Sequence, residues 1–181
     1  MKLELIRSIP ALRCRVDAWR KAGLSLGIVP TMGALHAGHM TLVEAARRAC
    51  DRVVVSLFVN PTQFSPTEDL ASYPRDEASD LRLLEGRNAD VLFAPGAQEI
   101  YPAGFDTTIA VGGPSTGLET DFRPHFFNGV ATVVAKLLLA ALPDRAYFGE
   151  KDFQQLLVVK KLVRDLNMPV RIVVCPTIRR L

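Results

Sequence analysis

No stretch of this 181-residue chain stays apolar for long enough to span a bilayer. The longest apolar run, Val130 to Leu142, is interrupted by Lys136, and Met1-Lys2-Leu3-Glu4 does not begin a signal peptide. Cysteine is scarce. Cys14, Cys50 and Cys175 are scattered, odd in number and form no C-x-x-C pair, which points to unpaired thiols filling a core in a reducing, cytoplasmic setting. Basic residues form no long run and the net charge is only +3, so neither a nucleic-acid surface nor a membrane partner is indicated. There is no G-x-S-x-G turn and no cysteine beside a histidine, hence no ordinary activated nucleophile. Internal repeats and low-complexity segments are absent too.

What the chain does have is apolar substance in alternation. Hydrophobic residues make up 49%, enough for a sizeable core in one domain. Residues 8–22 place Leu12, Val16 and Trp19 at helical spacing, with Ser8 as N-cap, Pro10 in the first turn and Gly23 at the end. Leu24 to Val29 reads as a short buried strand, and a helix opening at Gly38 carries Val43, Ala46 and Cys50 on one face. Arg52 to Val59 is apolar and β-branched, the pattern of a strand covered on both faces. A polar loop, Ser65 to Pro74, reads as mobile; a helix over Arg75 to Gly86 and a strand over Asp90 to Ala94 follow. Residues 95–124 are irregular, with one candidate strand at Thr107 to Val111. From Phe126 onward, Val130, Val133, Val134, Leu137, Leu138 and Ala141 form a wide apolar stripe that Pro143-Asp144 ends. The chain then offers a strand from Arg145 to Phe148, a helix beginning at 149–152 and a last strand over Val170 to Cys175. That helix turns Phe153, Leu156, Val159, Val163 and Leu166 inward.

Strands alternating with helices predict an α/β fold: a Rossmann-like open parallel sheet with helices on both faces and right-handed crossovers. Ligands of such sheets bind outside the carboxyl ends of the strands, at the switch point. Three polar clusters fall at strand ends: His36 and His39, Asn60 and Gln63, and Gly149, Lys151 and Asp152. The first lies in Pro30-Thr31-Met32-Gly33-Ala34-Leu35-His36-Ala37-Gly38-His39, where a strand hands over to a helix. Glycines let backbone approach a ligand, a helix N-terminus presents free N–H groups, and imidazoles add directional donors, together a phosphate-handling arrangement. A His-x-x-His pair is also half of a metal site, but no further ligand follows at suitable spacing, so no metal site is assigned; a plain capping role is the other alternative. A lysine in a helix's first turn opposes the dipole, so Lys151 calls for an anionic partner. Gln155 lies four residues on, on the same helical face.

These motifs carry a resemblance. P-T-M-G-A-L-H-x-G-H at 30–39, F-V-N-P-x-Q-F at 58–64, Y-P-R at 73–75 and F-G-E-K-D-F-Q-Q-L at 148–156 resemble the pantoate–β-alanine ligase (pantothenate synthetase) family. H-x-G-H alone would indicate only the wider nucleotidylyltransferase superfamily; the four motifs in order are far more specific. The resemblance implies an H-x-G-H nucleotidylyltransferase-type fold and an ATP-dependent ligase. ATP adenylylates pantoate with release of pyrophosphate, and β-alanine's amine attacks the adenylate to give pantothenate and AMP, with Mg²⁺ arriving with ATP. It implies ATP binding by Met32, Gly33, Ala34, Leu35, His36, Ala37, Gly38 and His39, by Gly149, Glu150, Lys151 and Asp152, and by Ile178. It implies catalytic roles for His39, His36 and Lys151, pantoate binding by Gln63 and Gln155, and a cavity lined less firmly by Asn60 and Tyr73. A homodimer through this domain is the family's habit. Two departures stand out. The family shows His-Phe-x-Gly-Val before the long apolar helix, whereas this chain reads His125-Phe126-Phe127-Asn128-Gly129-Val130, so no catalytic role is carried to His125. The family also continues past Arg180 into a smaller C-terminal domain, so residues 1–181 correspond to a nucleotide- and pantoate-binding N-terminal domain. Such a piece alone is expected to be weakly active or inactive. The alternatives are another H-x-G-H nucleotidylyltransferase or a non-catalytic nucleotide-binding module.

Overall fold

A computed structural model describes residues 3–64, 76–117 and 119–177. Six parallel strands form one sheet: β1 (Glu4–Ile6), β2 (Leu26–Thr31), β3 (Arg52–Leu57), β4 (Val91–Phe93), β5 (Arg145–Gly149) and β6 (Arg171–Cys175). The helices are α1 (Ile9–Lys21), α2 (Ala37–Ala49), α3 (Glu77–Glu85), α4 (Ala97–Ile100), α5 (Glu119–Phe122), α6 (Phe126–Ala141) and α7 (Phe153–Asp165). A 3₁₀ turn, Pro61–Gln63, follows β3.

The strand order is β1-β4-β3-β2-β5-β6. Successive side chains of a strand point to opposite faces, and the core divides accordingly. Ile28, Val54, Phe93 and Ala146 face α1, α6 and α7, whereas Val29, Val53, Val55, Leu92 and Tyr147 face α2 and α3. The chain steps from β2 through β3 to β4 in one direction, then returns along α6 to set β5 on the other side of β2. Right-handed crossovers in opposite directions put their helices on opposite faces. The sheet's switch point therefore lies between β2 and β5, paired through Gly27 with Arg145 and Ile28 with Ala146.

Local chemistry explains the element ends. Ser8 caps α1, its hydroxyl accepting from Ala11 N–H at 3.4 Å, with Pro10 in the first turn. The apolar α6 stops where Leu142 turns left-handed (φ 46°) ahead of Pro143, and Asp144 then accepts the Leu26 N–H at 2.7 Å. The buried Asp90 joins β3 to α2, accepting from Arg47 at 2.7 Å and from Val53 N–H at 2.8 Å.

Four expectations change. β1 is a further strand, paired with β4; three residues are too few to show a period. Thr107 to Val111 is not a strand in the structure: its Ile109 N–H is spent on the Thr132 hydroxyl of α6 at 2.9 Å. Phe153 and Leu166 are 57% and 53% exposed, because they stand at the two ends of α7, beyond the turns that meet the sheet. The helix after β5 begins at Phe153, with Asp152 as N-cap, so Lys151 precedes the helix rather than entering its first turn. The loop read over 65–74 falls within 65–75, outside the described residues.

Candidate active site

The turn after β2 ends on an unusual cap. His36 is the N-cap of α2, and its Nδ1 accepts the Gly38 N–H at 3.1 Å. His39, three residues on, reaches back so that its Nδ1 accepts the His36 N–H at 3.3 Å. This is a reciprocal capping box made by two imidazoles where hydroxyl and carboxamide groups are usual. The two rings lie 4.2 Å apart between centroids. Because both Nδ1 atoms accept, each ring making these bonds carries its proton on Nε2. Of the N–H groups at this helix start, those of His36 and Gly38 are taken by the two imidazoles, and the turn adds Nε2–H donors. Gly38 makes this possible, since a Cβ there would stand 2.9 Å from His36 Cε1.

Burial, and secondarily the neighbouring His36, pushes the His39 pKa down to about 4 from an ordinary 6.5. Asp152 pulls it up and Lys151 pulls it down, so both charges lie near the ring. His39 is therefore neutral at pH 7. Above pH 6.5 neither the folded nor the unfolded chain protonates this site; between 6.5 and about 4 only the unfolded chain does. The unfolded state then binds more protons, so this group's contribution to stability falls as pH falls through that window. Urea titrations from pH 7 to pH 4 are expected to show a steeper loss of stability in the wild type than in His39→Gln. Parallel curves would contradict the assignment.

The second cluster divides its labour. Asn60 is 1% exposed and fully engaged. Its Nδ2 donates to Gln63 Oε1 at 2.9 Å and to Gly129 O at 3.1 Å, and its Oδ1 accepts from Thr62 Oγ1 at 3.0 Å and from Tyr101 OH at 2.8 Å. Asn60 thus does not reach the cleft wall; it fixes Gln63. With Oε1 occupied, Gln63 has its amide NH₂ to offer a ligand. Tyr101 was not legible as part of this arrangement. α6 packs hard against the turn, for a Cβ at Gly129 would lie 2.6 Å from Thr62 O.

One cleft of about 410 Å³ gathers these groups at the β2/β5 switch point, a size suited to a small-molecule site. Met32, Gly33, Ala34, His36 and His39 line it from the first cluster, Gln63 from the second, and Lys151, Asp152 and Gln155 from the third. Phe58, Val130, Val133, Val134, Leu137 and Phe148 give it an apolar wall. The neighbouring Gln154 is spent structurally, donating to Gly117 O at 2.9 Å. Not all expected residues reach the cleft. Leu35 is buried in the core between the sheet and α2. Ala37, Gly38, Gly149 and Glu150 belong to the flanking backbone and not to the lining; the Glu150 N–H donates to Cys175 O at 2.9 Å. Tyr73 and Ile178 lie outside the described residues. His125 opens onto a separate cavity of about 480 Å³ with Tyr101, Phe105 and Asp106; that cavity contains neither H-x-G-H imidazole. Among the described residues no group of three or more His, Cys, Asp or Glu could hold a metal ion, and no helix is long and apolar enough to cross a membrane.

A six-stranded parallel sheet with helices on both faces and H-x-G-H at its switch point defines a Rossmann-like domain of the nucleotidylyltransferase type. The family model described as pantoate-beta-alanine ligase matches residues 4–181. The chain belongs to the pantoate–β-alanine ligase family. It is 60% identical over 176 residues to a pantothenate synthetase of Mesorhizobium japonicum, covering 97% of this chain and 62% of that protein. It is 56% identical over 177 residues to one of Rhodospirillum rubrum, covering 98% and 63%. Among solved structures, pantothenate synthetase from Thermus thermophilus superposes with a TM-score of 0.90 at 51% identity, over 98% of this chain and 63% of that one. Pantoate-beta-alanine ligase from Francisella tularensis, solved with beta-gamma ATP and beta-alanine, gives 0.93 at 40% identity, over 98% and 68%. The chain thus spans 62–63% of the length of the two curated relatives.

Proposed function

We propose that this chain supplies the ATP and pantoate sites of an ATP-dependent pantoate–β-alanine ligase. A pantoate carboxylate oxygen attacks the α-phosphorus of ATP, the bond to the β-phosphate breaks, and pyrophosphate leaves. The amine of β-alanine then attacks the acyl carbon of pantoyl adenylate, AMP departs, and pantothenate forms. The observation that carries this reading is the meeting of two Nε2–H imidazoles, one lysine and two glutamines in a single cleft.

The chemistry suits the residues. The substrate supplies its own nucleophile, so no activated serine or cysteine is needed. Catalysis then consists of holding the reactants and stabilising charge. His39, neutral at pH 7, and His36 donate hydrogen bonds toward the phosphates, and Lys151 neutralises charge building on the departing pyrophosphate. Gln63 and Gln155 are neutral amides suited to pantoate's hydroxyl and carboxylate, and desolvate more cheaply than charges would. The apolar wall from Val130 to Leu137 suits its branched hydrocarbon. Met32, Gly33, Ala34 and Asp152 complete the proposed nucleotide surroundings, with Ala37, Gly38, Gly149 and Glu150 in the backbone that flanks them. Mg²⁺ enters as part of the ATP substrate. The reading includes a homodimer through this domain and a cytoplasmic location.

Because the matched relatives are longer, turnover is measured in a protein of full family length, and binding in the 181 residues, which alone are proposed to turn over weakly or not at all. ATP, pantoate and β-alanine together should give equimolar AMP and pantothenate. ATP binding without pantoate-dependent pyrophosphate release would reduce the chain to a nucleotide-binding module. Transfer of the nucleotide to a phosphorylated acceptor, with indifference to β-alanine, would make it a different nucleotidylyltransferase.

A further inference from the structure

We infer that Asp80 is a positioning residue for the phosphate-binding turn, an inference that rests on the ATP reading above. Residues 32–36 reverse the chain between β2 and α2. To do so, Gly33 and Ala34 both adopt left-handed backbones, with φ of 87° and 51°, a conformation an L-alanine holds only when its surroundings impose it. Asp80 of α3 is 2% exposed, and its carboxylate accepts the Ala34 N–H at 3.1 Å through Oδ2 and the Leu35 N–H at 2.7 Å through Oδ1. Successive N–H groups in such a turn form a concavity for an anion; here the anion is the protein's own.

The consequence concerns what remains for the ligand. The Gly33 N–H goes to Thr31 Oγ1 at 3.3 Å, and those of Ala34 and Leu35 go to Asp80. The His36 and Gly38 N–H groups go to the two imidazoles. Each of these five amides is satisfied by the protein, so the Nε2–H groups of His36 and His39 are the donors that the side chains of this turn add for phosphate, beside Lys151. Their position depends on α3, a helix that contributes no residue to the cleft wall. Asp80 therefore acts through His36 and His39 and touches no ligand.

Asp80→Asn and Asp80→Ala in the 181-residue chain test this by three readouts: ATP affinity, pantoate affinity and amide hydrogen exchange at Ala34 and Leu35. Asp80→Asn keeps one acceptor oxygen. It should speed exchange at one of the two amides and weaken ATP binding by about tenfold each, the loss of one hydrogen bond to a charged group. Pantoate, held by Gln63 and Gln155, should move by less than about twofold. Asp80→Ala should expose both amides and weaken ATP binding further. A general structural role would weaken both ligands together. ATP affinity within about twofold of wild type in a folded variant, or unchanged exchange at both amides, overturns the inference. If Asp80→Ala does not fold, Asp80→Asn decides alone. If the wild-type chain binds no ATP, the ligase reading fails, and the exchange rates still decide whether Asp80 holds the turn.

Discussion

Gly129→Ala will strip the cleft of its ordered Gln63. The added methyl would lie 2.6 Å from Thr62 O and 2.9 Å from both Thr62 C and Oγ1. Two of these three atoms are backbone, so no flexible side chain can swing away to make room. Either α6 or the 3₁₀ turn must retreat, and the Asn60 bond to Gly129 O at 3.1 Å goes with it. The same Asn60 nitrogen holds Gln63 at 2.9 Å, so the glutamine loses the contact that aims its amide. Overpacking of this kind costs roughly 1–3 kcal/mol of stability. Pantoate affinity, measured calorimetrically on the folded variant, should fall at least about tenfold, the worth of one misdirected hydrogen bond. ATP affinity should change little, because the imidazoles are held by the turn between β2 and α2 and not by the 3₁₀ turn. Unchanged pantoate binding would show that Gln63 does not serve that substrate.

His39→Gln separates two functions of one ring. Glutamine at the third helical position is an ordinary capping-box partner, so it can take over the His36 N–H that His39 now accepts at 3.3 Å. What it lacks is a rigid Nε2–H beside Lys151. Removing one donor to a developing charge costs other enzymes about 10²–10³ in rate. Pantoate-dependent pyrophosphate release in a protein of full family length should fall by a factor of that order, while urea stability at pH 7 and pantoate affinity stay close to wild type. His39→Ala should lose the cap as well, adding about 1 kcal/mol of destabilisation. Equal losses of pantoate affinity and adenylation rate in His39→Gln would contradict the role assigned.

Much of this was legible where the sequence obeys one strong rule. The run Arg52 to Val59 has the pattern of a doubly covered strand and the stripe from Val130 to Ala141 that of a buried helix; the structure gives both, the strand ending two residues earlier, at Leu57. The convergence of His36, Gln63 and Lys151 followed from strand-helix alternation, since switch-point geometry needs no knowledge of contacts. What failed to show depends on distant partners. Asp80 sits four residues after Asp76 in an ordinary-looking helix start, and nothing local says that two amides 45 and 46 residues earlier end on its carboxylate. Asn60 looked like a ligand-binding amide because it stands with Gln63 at the end of a strand; its burial against Gly129 and Tyr101 is purely tertiary. Thr107 to Val111 has strand composition, yet the Thr132 hydroxyl claims the Ile109 amide that a ladder would need. The sequence leaves a capping role open for the histidine pair, and His36 does cap α2; the reciprocal double-imidazole form was not expected, since histidine is not among the preferred cap residues.

Histidine-detected ¹⁵N NMR of the 181-residue chain, titrated with ATP, is the most direct test of the claim that two Nε2–H imidazoles face the nucleotide's phosphates. Before ATP, His36 and His39 should show the Nε2–H tautomer at pH 7. On addition their Nε2 resonances should shift together and saturate at one affinity, with His125 unmoved. A shift at His125 with His36 and His39 unchanged, or Nδ1–H rings in the free chain, would contradict the account.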